Sequence, residues 1–208
     1  MYGRIVSLPL FTGISSTDLL ELQERTSLSI EPIEAGTKLL SEGERTQGLL
    51  WIVNGTIRRS NEWIEEIIDA PILVEPERVF GLNNSVHMTW HAVTQVEVIY
   101  VSKEHVMRHL LRNSLIRINY LNLLSSTLQR KSDMPCTPRS AEDKLRQFVK
   151  EIRHPLGSIL TLHIKMTDLA RSLDISRLLL SRTLNTLAER GEIEIKREKI
   201  IIYAKHFH

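Results

Sequence analysis

The chain has 208 residues, of which 42% are hydrophobic, and this composition predicts packed cores, most simply as two domains or as one domain with an appendage. The formal net charge of +2 conceals an asymmetry, because residues 139–208 carry 14 Lys+Arg against 9 Asp+Glu, as expected of a region that binds nucleic acid. The single cysteine, Cys136, excludes an intramolecular disulfide framework. The sequence has no apolar run of membrane-spanning length and no secretory signal, which predicts a cytoplasmic protein without membrane attachment.

The N-terminal region is predicted to be a β domain that begins with one helix. Residues 15–25, SSTDLLELQER, have the amphipathic pattern and Ser/Thr start of a short helix. Short β-type runs separated by glycine or proline follow from Leu28 to Ser102. These runs are SLSIEPI, TKLLSEG, LLWIVNG, TIRRSNE, WIEEIID, RVFG and HAVTQVEVIYVS. Many short strands at this spacing predict an antiparallel sandwich or barrel, which we assign to residues 1–102.

Residues 103–133 are predicted to form one long helix, since the pattern is helical from Lys103 to about Ser132 without glycine or proline. Six residues recur at the spacing of a two-stranded coiled-coil seam: Leu111, Ser114, Ile118, Leu121, Ser125 and Leu128. Tyr120, Leu123 and Leu124 lie off this seam, where they can pack on the β domain. Apolar residues on two faces favour a homodimerisation helix over the alternative, an amphipathic helix buried within its own monomer.

A linker at 134–139 is predicted to act as a hinge, because Pro135 and Pro138 break the helical pattern. Residues 140–208 are assigned to a second domain. Ser140 is placed to cap a helix with an acidic first turn that runs to about Arg153. Residues 159–165 then alternate, which predicts a strand.

The segment from Lys165 to Arg190 is predicted to be a helix-turn-helix. Thr167 is placed to cap the first helix, a tight turn passes through residues 173–175, and Ser176 is placed to cap the second helix. The predicted apolar sides consist of Leu169, Ala170 and Leu173 in the first helix and Leu180, Thr183, Leu184 and Leu187 in the second.

The opposite face of the second helix carries the candidate DNA-reading residues: Arg177, Leu178, Ser181, Arg182 and Asn185. A guanidinium group can hold the O6 and N7 atoms of guanine together, so two arginines near the N-terminal end of an exposed helix suit the major groove. The alternative is an ordinary helical hairpin with a charged outer face.

A basic hairpin is predicted directly after Gly191. The residues IEIKREKIIIY alternate, reverse around Arg197-Glu198, and alternate again, with Lys196 and Lys199 beside the turn. A helix-turn-helix followed by such a hairpin is a winged helix, and its tip is placed to touch phosphates. We therefore include Lys199 among the DNA-binding residues, and expect residues 159–165 to pair with this wing.

The order of these elements resembles the CRP/FNR superfamily. The segment EGERTQGLLWIVNGTIR, Glu42 to Arg58, is similar to the segment of cyclic-nucleotide-binding domains in which glycines close the turns of a β-roll. Phe80-Gly81 and the run that leads to Ser102 occupy the place of that family's phosphate-binding cassette. The resemblance implies an α+β fold: an N-terminal antiparallel, jelly-roll-like β-roll that senses an effector, a long dimerisation helix, and a C-terminal winged helix-turn-helix.

The resemblance also implies roles for individual DNA-binding residues. Thr167 and Ser176 would bond backbone phosphates, while Arg177 and Arg182 would reach base edges. In the members of this family that respond to cyclic AMP, the residue that matches Leu178 is a glutamate, which accepts a hydrogen bond from cytosine. A leucine can instead lie against a thymine methyl group, which predicts a different half-site.

The predicted effector pocket departs further from the family's pattern. The family's cassette needs a glutamate for the ribose and an arginine for the cyclic phosphate, but this chain has Leu82-Asn83-Asn84 and Trp90-His91 there, with no arginine between Arg78 and Arg108. Burying a phosphate without a cationic partner would cost several kcal/mol, so cyclic AMP is not expected to bind in the usual manner. The pocket candidates are Gly81, Leu82, Asn83, Asn84, Trp90 and His91. The alternative is that Asn84, Trp90 and His91 simply fill or flank the roll.

These observations predict a dimeric, sequence-specific transcription regulator on a palindromic site in double-stranded DNA, with RNA polymerase as a candidate partner and an unidentified small-molecule effector. The alternative is a ligand-binding sensor whose winged helix contacts a protein. No catalytic motif is present in the sequence, so an enzyme is not expected. His105/His109 and His87/His91 have a spacing that can bind a divalent ion, but no Cys, Asp or Glu is placed to complete a site, and we expect no metal or cofactor.

Overall fold

A computed structural model describes residues 8–26, 28–80, 84–132, 140–155 and 157–207. The predicted hinge at 134–139 and the pocket candidates Gly81, Leu82 and Asn83 lie outside the described residues. The chain divides into two compact units: unit 1 contains Met1–Ile57 and Asp69–Gln129, and unit 2 contains Arg58–Ile68 and Arg130–His208. Unit 2 is therefore built from two separate stretches of the sequence.

The N-terminal stretch contains eight described strands, as the alternating runs predict. They are β1 (Glu31–Ile33), β2 (Lys38–Leu40), β3 (Gly48–Asn54), β4 (Thr56–Ser60), β5 (Ile64–Asp69), β6 (Ile72–Leu73), β7 (Thr89–Ala92) and β8 (Val96–Ser102). In unit 1, β1, β8, β3 and β6 form an antiparallel sheet in that order, and β2 pairs with β7. This arrangement agrees with the predicted antiparallel β-roll.

Two predicted strand runs differ from the structure. The described part of the run RVFG, Arg78 to Phe80, is not a strand, because Pro76–Arg78 forms a 3-10 helix that starts with proline. The run HAVTQVEVIYVS is two strands, β7 and β8, separated by residues 93–95. The break is fixed by Thr94, whose hydroxyl oxygen accepts the Thr56 backbone N–H at 3.0 Å. β6 was not predicted, since two residues give no alternation.

The helices of unit 1 share a buried core with strands β3 and β8. α1 (Ser16–Thr26) lies where the sequence predicts it. The predicted helix 103–133 is divided into α2 (Lys103–Arg108), a 3-10 turn (Leu110–Arg112) and α3 (Ser114–Ser132). The prediction of one uninterrupted helix was wrong because the Asn113 carboxamide oxygen accepts the Leu115 and Ile116 backbone N–H groups, at 3.0 and 3.2 Å, and starts a new helix.

α3 packs one face onto the core of unit 1 and leaves another exposed. Ile116 and Tyr120 are buried, and the Tyr120 hydroxyl donates to the Pro76 carbonyl at 2.7 Å. Burial raises the pKa of Tyr120 to about 12. Leu123 and Leu124 pack partly on the same core, as predicted from their position off the seam.

Unit 2 is a three-helix layer on a sheet. Its helices are α4 (Ala141–Ile152), α5 (Met166–Ser172) and α6 (Arg177–Glu189), and its further strands are β9 (Gly157–Leu162), β10 (Ile193–Lys196) and β11 (Lys199–Tyr203). The strand order in this unit is β10-β11-β9-β5, all antiparallel. α4 begins with a capping box between Ser140 and Asp143, which agrees with the predicted Ser cap.

The core of unit 2 lies between its helices and its sheet. Buried side chains come from all three helices and from three strands: Leu145, Val149, Leu160, Leu162, Leu169, Ala170, Leu173, Leu180, Leu184, Leu187, Ile193, Ile200 and Ile202. The apolar sides predicted for the helix-turn-helix belong to this core, apart from the half-buried Thr183. β5, which comes from the N-terminal stretch, supplies the partly buried Ile64 to the same core.

Candidate nucleic-acid interface

The turn between α5 and α6 sets the positions of both helices. Asp174 has a left-handed backbone with φ +50°, and the Ile175 N–H donates to the Ala170 carbonyl at 3.0 Å. The Lys144 ammonium donates to the Asp174 carbonyl at 2.9 Å, which ties the turn to α4. The turn therefore has the position that the sequence predicts.

Only one of the two predicted helix caps is present. The Ser176 hydroxyl oxygen accepts the Leu179 N–H at 3.2 Å and caps α6. Thr167 does not cap α5: the helix begins one residue earlier, at Met166, and Lys165 is the capping residue without a side-chain hydrogen bond. The predicted cap was wrong because Lys165 already has the extended backbone that precedes a helix. Thr167 is an exposed residue in the first turn of α5.

α6 buries one face and exposes the other. Leu180, Leu184 and Leu187 are fully buried in the core of unit 2. Arg177, Arg182 and Asn185 are exposed, Ser181 is half-buried, and Leu178 is 63% exposed. Within the described part of the chain no ion pair joins the Arg177 or Arg182 guanidinium group to a carboxylate. All five predicted reading residues therefore lie on one accessible face.

Other arginines of the same unit are held by carboxylates. Arg146 donates to Glu142 at 2.8 Å and to Glu192 at 2.6 Å, and Arg190 donates to Glu142 at 2.7 Å. Hydrogen bonds from Arg146 and Arg190 lower the pKa of Glu142 below its ordinary value. This network connects α4 with the C-terminal end of α6 and with the residue before the hairpin. The Arg146 guanidinium also lies 4.5 Å from the centroid of the Phe207 ring. The arginines of this network have structural partners, in contrast to Arg177 and Arg182.

The hairpin has the geometry expected of a wing. Lys196 pairs with Lys199, so Arg197 and Glu198 form a two-residue turn, and Glu198 has φ +60°. The Lys196 ammonium lies 3.2 Å from the Glu194 carboxylate, whereas Lys199 is exposed. β11 also pairs with β9, which confirms the predicted pairing of that segment with the hairpin.

Two of the three described pocket candidates, Asn84 and Trp90, have side chains that are hydrogen-bonded within the protein. The Asn84 carbonyl accepts from the Thr46 backbone N–H at 2.8 Å, and the Asn84 carboxamide donates to the Thr46 carbonyl at 3.3 Å. Trp90 is fully buried, and its indole N–H donates to Glu75 at 3.4 Å. His91 is half-buried with no hydrogen-bond partner at its buried Nδ1 atom.

Glu75 is a largely buried acidic residue beside Trp90, and the sequence analysis did not identify it. Its carboxylate accepts from Trp90 and from the His87 backbone N–H at 3.3 Å, and burial raises its pKa. The Arg78 guanidinium lies 3.9 Å from this carboxylate and 2.7 Å from the His87 ring. Arg78 therefore already has an acidic neighbour within the protein.

Of the four apolar residues predicted to form the dimer seam, three are exposed on α3 and one is not. Ile118, Leu121 and Leu128 of α3 are more than half exposed. Leu111 differs, because it belongs to the 3-10 turn before α3 and packs partly on the core of unit 1. The exposed apolar face of α3 thus begins after Asn113.

The described residues contain no cluster of three or more His, Cys, Asp or Glu side chains that could hold a metal ion. The rings of His105 and His109 lie 5.5 Å apart, and the His105 Nδ1 atom is 3.1 Å from the Ser102 hydroxyl. Among the helices that the structure describes, none is both long enough and apolar enough to cross a bilayer.

The structure resembles solved structures of regulators. It is similar to the Catabolite Activator Protein of Thermus thermophilus, with a TM-score of 0.53 and 20% identity over 94% of this chain and 93% of that one. It is also similar to the sensor domain of the transcriptional regulator DNR from Pseudomonas aeruginosa, with a TM-score of 0.52 and 20% identity over 65% of this chain and 91% of that one. No protein-family model and no curated protein matches the sequence. The chain therefore has a CRP/FNR-like fold.

Proposed function

We propose that this protein is a transcription regulator that binds double-stranded DNA sequence-specifically as a homodimer. The observation that carries the proposal is the outer face of α6, where Arg177 and Arg182 are exposed without a carboxylate partner while the opposite face is anchored in the core. A rigid helix with accessible guanidinium groups can enter the major groove and hold guanine edges.

The remaining candidate residues divide into base-contacting and phosphate-contacting groups. Ser181 and Asn185 share the face of the arginines, and Leu178 offers an apolar contact for a thymine methyl group. Ser176, Thr167 and Lys199 are exposed at helix starts and beside the wing turn, where hydroxyl and ammonium groups suit phosphate oxygens.

Dimerisation would occur through the exposed apolar face of α3. Ile118, Leu121 and Leu128 lie at coiled-coil spacing, and all three side chains are more than half exposed. An exposed apolar face of this kind is typical of a protein–protein interface. A two-fold dimer would place two copies of α6 in successive major grooves, about 34 Å apart, which requires a palindromic operator. RNA polymerase is a candidate partner of the DNA-bound dimer.

Cyclic AMP is not the proposed effector. Arg78, the arginine that precedes the predicted pocket in the sequence, already has Glu75 and His87 as neighbours. A cyclic phosphate would thus be buried without a dedicated cation, at a cost of several kcal/mol. Isothermal titration should detect no binding of cyclic AMP or cyclic GMP, and a micromolar affinity would contradict this proposal.

The deciding experiment is selection of operators from random duplex DNA with the purified full-length protein. A palindromic consensus is expected, and both Arg177→Ala and Arg182→Ala should remove the preference for it. Arg108→Ala, which removes an exposed arginine from unit 1, is the matched control and should leave the consensus intact. Selection of no consensus, or a consensus that survives both arginine substitutions, would contradict the proposed function.

A second candidate function is a ligand-binding sensor whose winged helix contacts a protein. The exposed leucines Leu178 and Leu179 favour it, since they add apolar surface to α6. Salt dependence discriminates between the two, because DNA binding releases counterions and weakens steeply with salt, whereas apolar protein contact does not.

A further inference from the structure

The hairpin between β4 and β5 brings its turn to the same end of the sheet as the wing. Ile64 of β5 pairs with Leu162 of β9, and Leu162 pairs with Ile200 of β11. The His163 N–H donates to the Trp63 carbonyl at 2.8 Å, so the pairing extends one residue beyond β5. One row across four strands therefore contains Trp63, His163, Lys199 and Lys196. This row borders the wing turn at Arg197-Glu198.

The backbone of Trp63 lies near that of Lys199, and both side chains are exposed. Leu162 and Ile200 are buried in the core, and Ile64 packs against it. Because successive side chains of a strand point to opposite faces, Lys199 lies on the face away from the core. Trp63 lies in the turn before β5, and its side chain is outside the core. Adjacent strands are about 4.8 Å apart, so two strand spacings place the backbone of Trp63 about 10 Å from that of Lys199.

The turn that carries Trp63 is held in one conformation. The Asn61 carboxamide oxygen accepts the Trp63 and Ile64 N–H groups at 3.0 and 2.9 Å, and the Asn61 N–H donates to the Ile64 carbonyl at 2.9 Å. Below the turn, Arg59 and the fully buried Glu66 form a hydrogen-bonded ion pair of 2.6 Å. Glu66 also accepts the His154 N–H at 3.0 Å, which fastens the hairpin to the segment after α4.

Trp63 is the exposed tryptophan of the chain. It is 51% exposed, whereas Trp51 and Trp90, the other two, are buried. A large ring held on a rigid turn is suited to contact rather than to packing within its own chain. The partner follows from the wing that borders this row: Lys199, the exposed residue proposed above to contact phosphate, lies in the same row as Trp63. The basic groups Lys196, Arg197 and Lys199 equal in number the acidic groups Glu62, Glu194 and Glu198. The partner is therefore inferred from the position of Trp63 beside the wing and not from an excess of charge.

We propose that the β4–β5 turn is a second wing, in which Trp63 contacts the sugar–phosphate backbone of the bound duplex beside the site of Lys199. The apolar ring lies against deoxyribose and the indole N–H donates to a phosphate oxygen. The Glu62 carboxylate opposes this contact by repelling phosphate. This inference rests on the proposed DNA-binding function and extends it to a stretch of sequence outside the winged helix.

The test uses the intrinsic fluorescence of the full-length protein with its selected operator. Acrylamide, a neutral quencher, reaches exposed indoles, so quenching in the free protein reports mainly Trp63. Operator binding is expected to reduce quenching to the level of the Trp63→Phe variant, which retains a ring but lacks the exposed indole. Trp63→Ala should weaken operator binding about tenfold, Trp63→Phe less, and Glu62→Gln should strengthen it.

The control is Tyr100→Ala, which removes an equally exposed aromatic side chain, also 51%, from β8 of unit 1 and should leave operator affinity unchanged. Denaturant unfolding should show that the Trp63 variants retain their stability, since the side chain is exposed. If the protein binds no duplex, the proposed function and the second wing fail together. If it binds its operator while quenching of Trp63 and the affinity of Trp63→Ala stay unchanged, only the second wing is contradicted. Protection of Trp63 by a protein partner instead of DNA would also contradict it.

Discussion

Leu178 is an exposed apolar side chain on a helix face that otherwise carries arginine, serine and asparagine. Leu178→Glu is expected to change the preferred base pair at one position of each half-site from one with thymine to one with cytosine, because a carboxylate accepts from the cytosine amino group. The change in discrimination should be about 1–3 kcal/mol. Operator selection with both proteins measures it.

The control for this substitution is Leu20→Glu, which adds the same charge at an exposed leucine of α1 in unit 1. Its selected half-site should match that of the unsubstituted protein. An unchanged half-site for Leu178→Glu would show that this side chain does not contact a base.

Glu66 is a fully buried carboxylate on the core-facing side of β5, and Arg59 is its charged partner. Glu66→Leu should lower the free energy of unfolding by about 3–5 kcal/mol at neutral pH, because it leaves the Arg59 charge without a counterion and the His154 N–H without its acceptor. Replacing both groups by apolar residues, Arg59→Met with Glu66→Leu, should cost much less. Denaturant unfolding of the single and double variants measures the difference.

The neighbouring pair provides the control. Glu65 lies 3.8 Å from Arg58 on the opposite face of β5, and both side chains are about two-fifths exposed. Glu65→Leu should therefore change the free energy of unfolding by less than about 1 kcal/mol. Equal losses for the Glu65 and Glu66 substitutions would contradict a special role of the buried pair.

The protonation of Glu66 gives a pH dependence with a defined sign. Burial raises its pKa in the folded protein above 4.5, and Arg59 opposes this shift. The folded state then binds the proton more tightly than the unfolded state, so this contribution to stability is present below about pH 4.5 and is lost as the pH rises through the folded pKa. The difference in unfolding free energy between the unsubstituted protein and Glu66→Gln should decrease over that interval. A difference that increases with pH would mean that the pKa is lowered instead.

At the scale of elements, the β4–β5 hairpin is expected to unfold with the winged helix and not with the N-terminal sheet. β5 pairs with β9 over five registered positions, and residues 58–68 belong to unit 2. Since cooperative units open together, peptides from β5, β9 and β11 should lose hydrogen-exchange protection at the same denaturant concentration. Peptides from β3 and β8 should follow a separate transition. Opening of β5 together with β3 would contradict this prediction.

The sequence pattern predicted most elements correctly but not the partner of β5. In the run WIEEIID, Glu66 occupies a core-facing position, which a two-residue alternation assigns to an apolar side chain. The anomaly could have indicated a buried ion pair, yet its partners Arg59 and the His154 N–H are 7 and 88 residues away. Gly157 is also explained only in three dimensions, because a Cβ atom there would overlap the Glu66 carboxylate. Local periodicity carries no information about such distant contacts.

The helical segments show the same limit. The buried and exposed faces of α6 were predictable because its buried leucines recur every three or four residues, which is the spacing of one face of a helix. The division of the helix 103–133 was not predictable from glycine or proline, since an asparagine made the new helix start. Asparagine is a residue type preferred as a helix N-cap, so Asn113 was a signal in the sequence, but asparagine also occurs within helices. Only the hydrogen bonds that its carboxamide oxygen accepts from two backbone N–H groups identify it as a cap.

At the scale of the whole molecule, the chain passes between its two units three times, after Ile57, Ile68 and Gln129. Residues 58–68, which the sequence analysis assigned to the N-terminal β domain, therefore contribute a strand to the unit that contains the helix-turn-helix. The surface proposed to bind DNA consequently draws on residues from two distant parts of the sequence, and its affinity should reflect positioned contacts rather than bulk charge.

The salt dependence of operator binding tests that conclusion. Each phosphate contact contributes about 0.9 to the slope of log affinity against log salt, so Lys199→Ala, which removes one contact from each half of a dimer, should reduce the slope by about 1.8. Lys205 follows β11 at the end opposite the wing turn and is also exposed, so Lys205→Ala is the matched control and should leave the slope nearly unchanged. Fluorescence anisotropy of a labelled operator at several salt concentrations measures both. Equal effects of the two substitutions would mean that affinity follows the net charge of the unit, and the wing would then have no specific contact with the backbone.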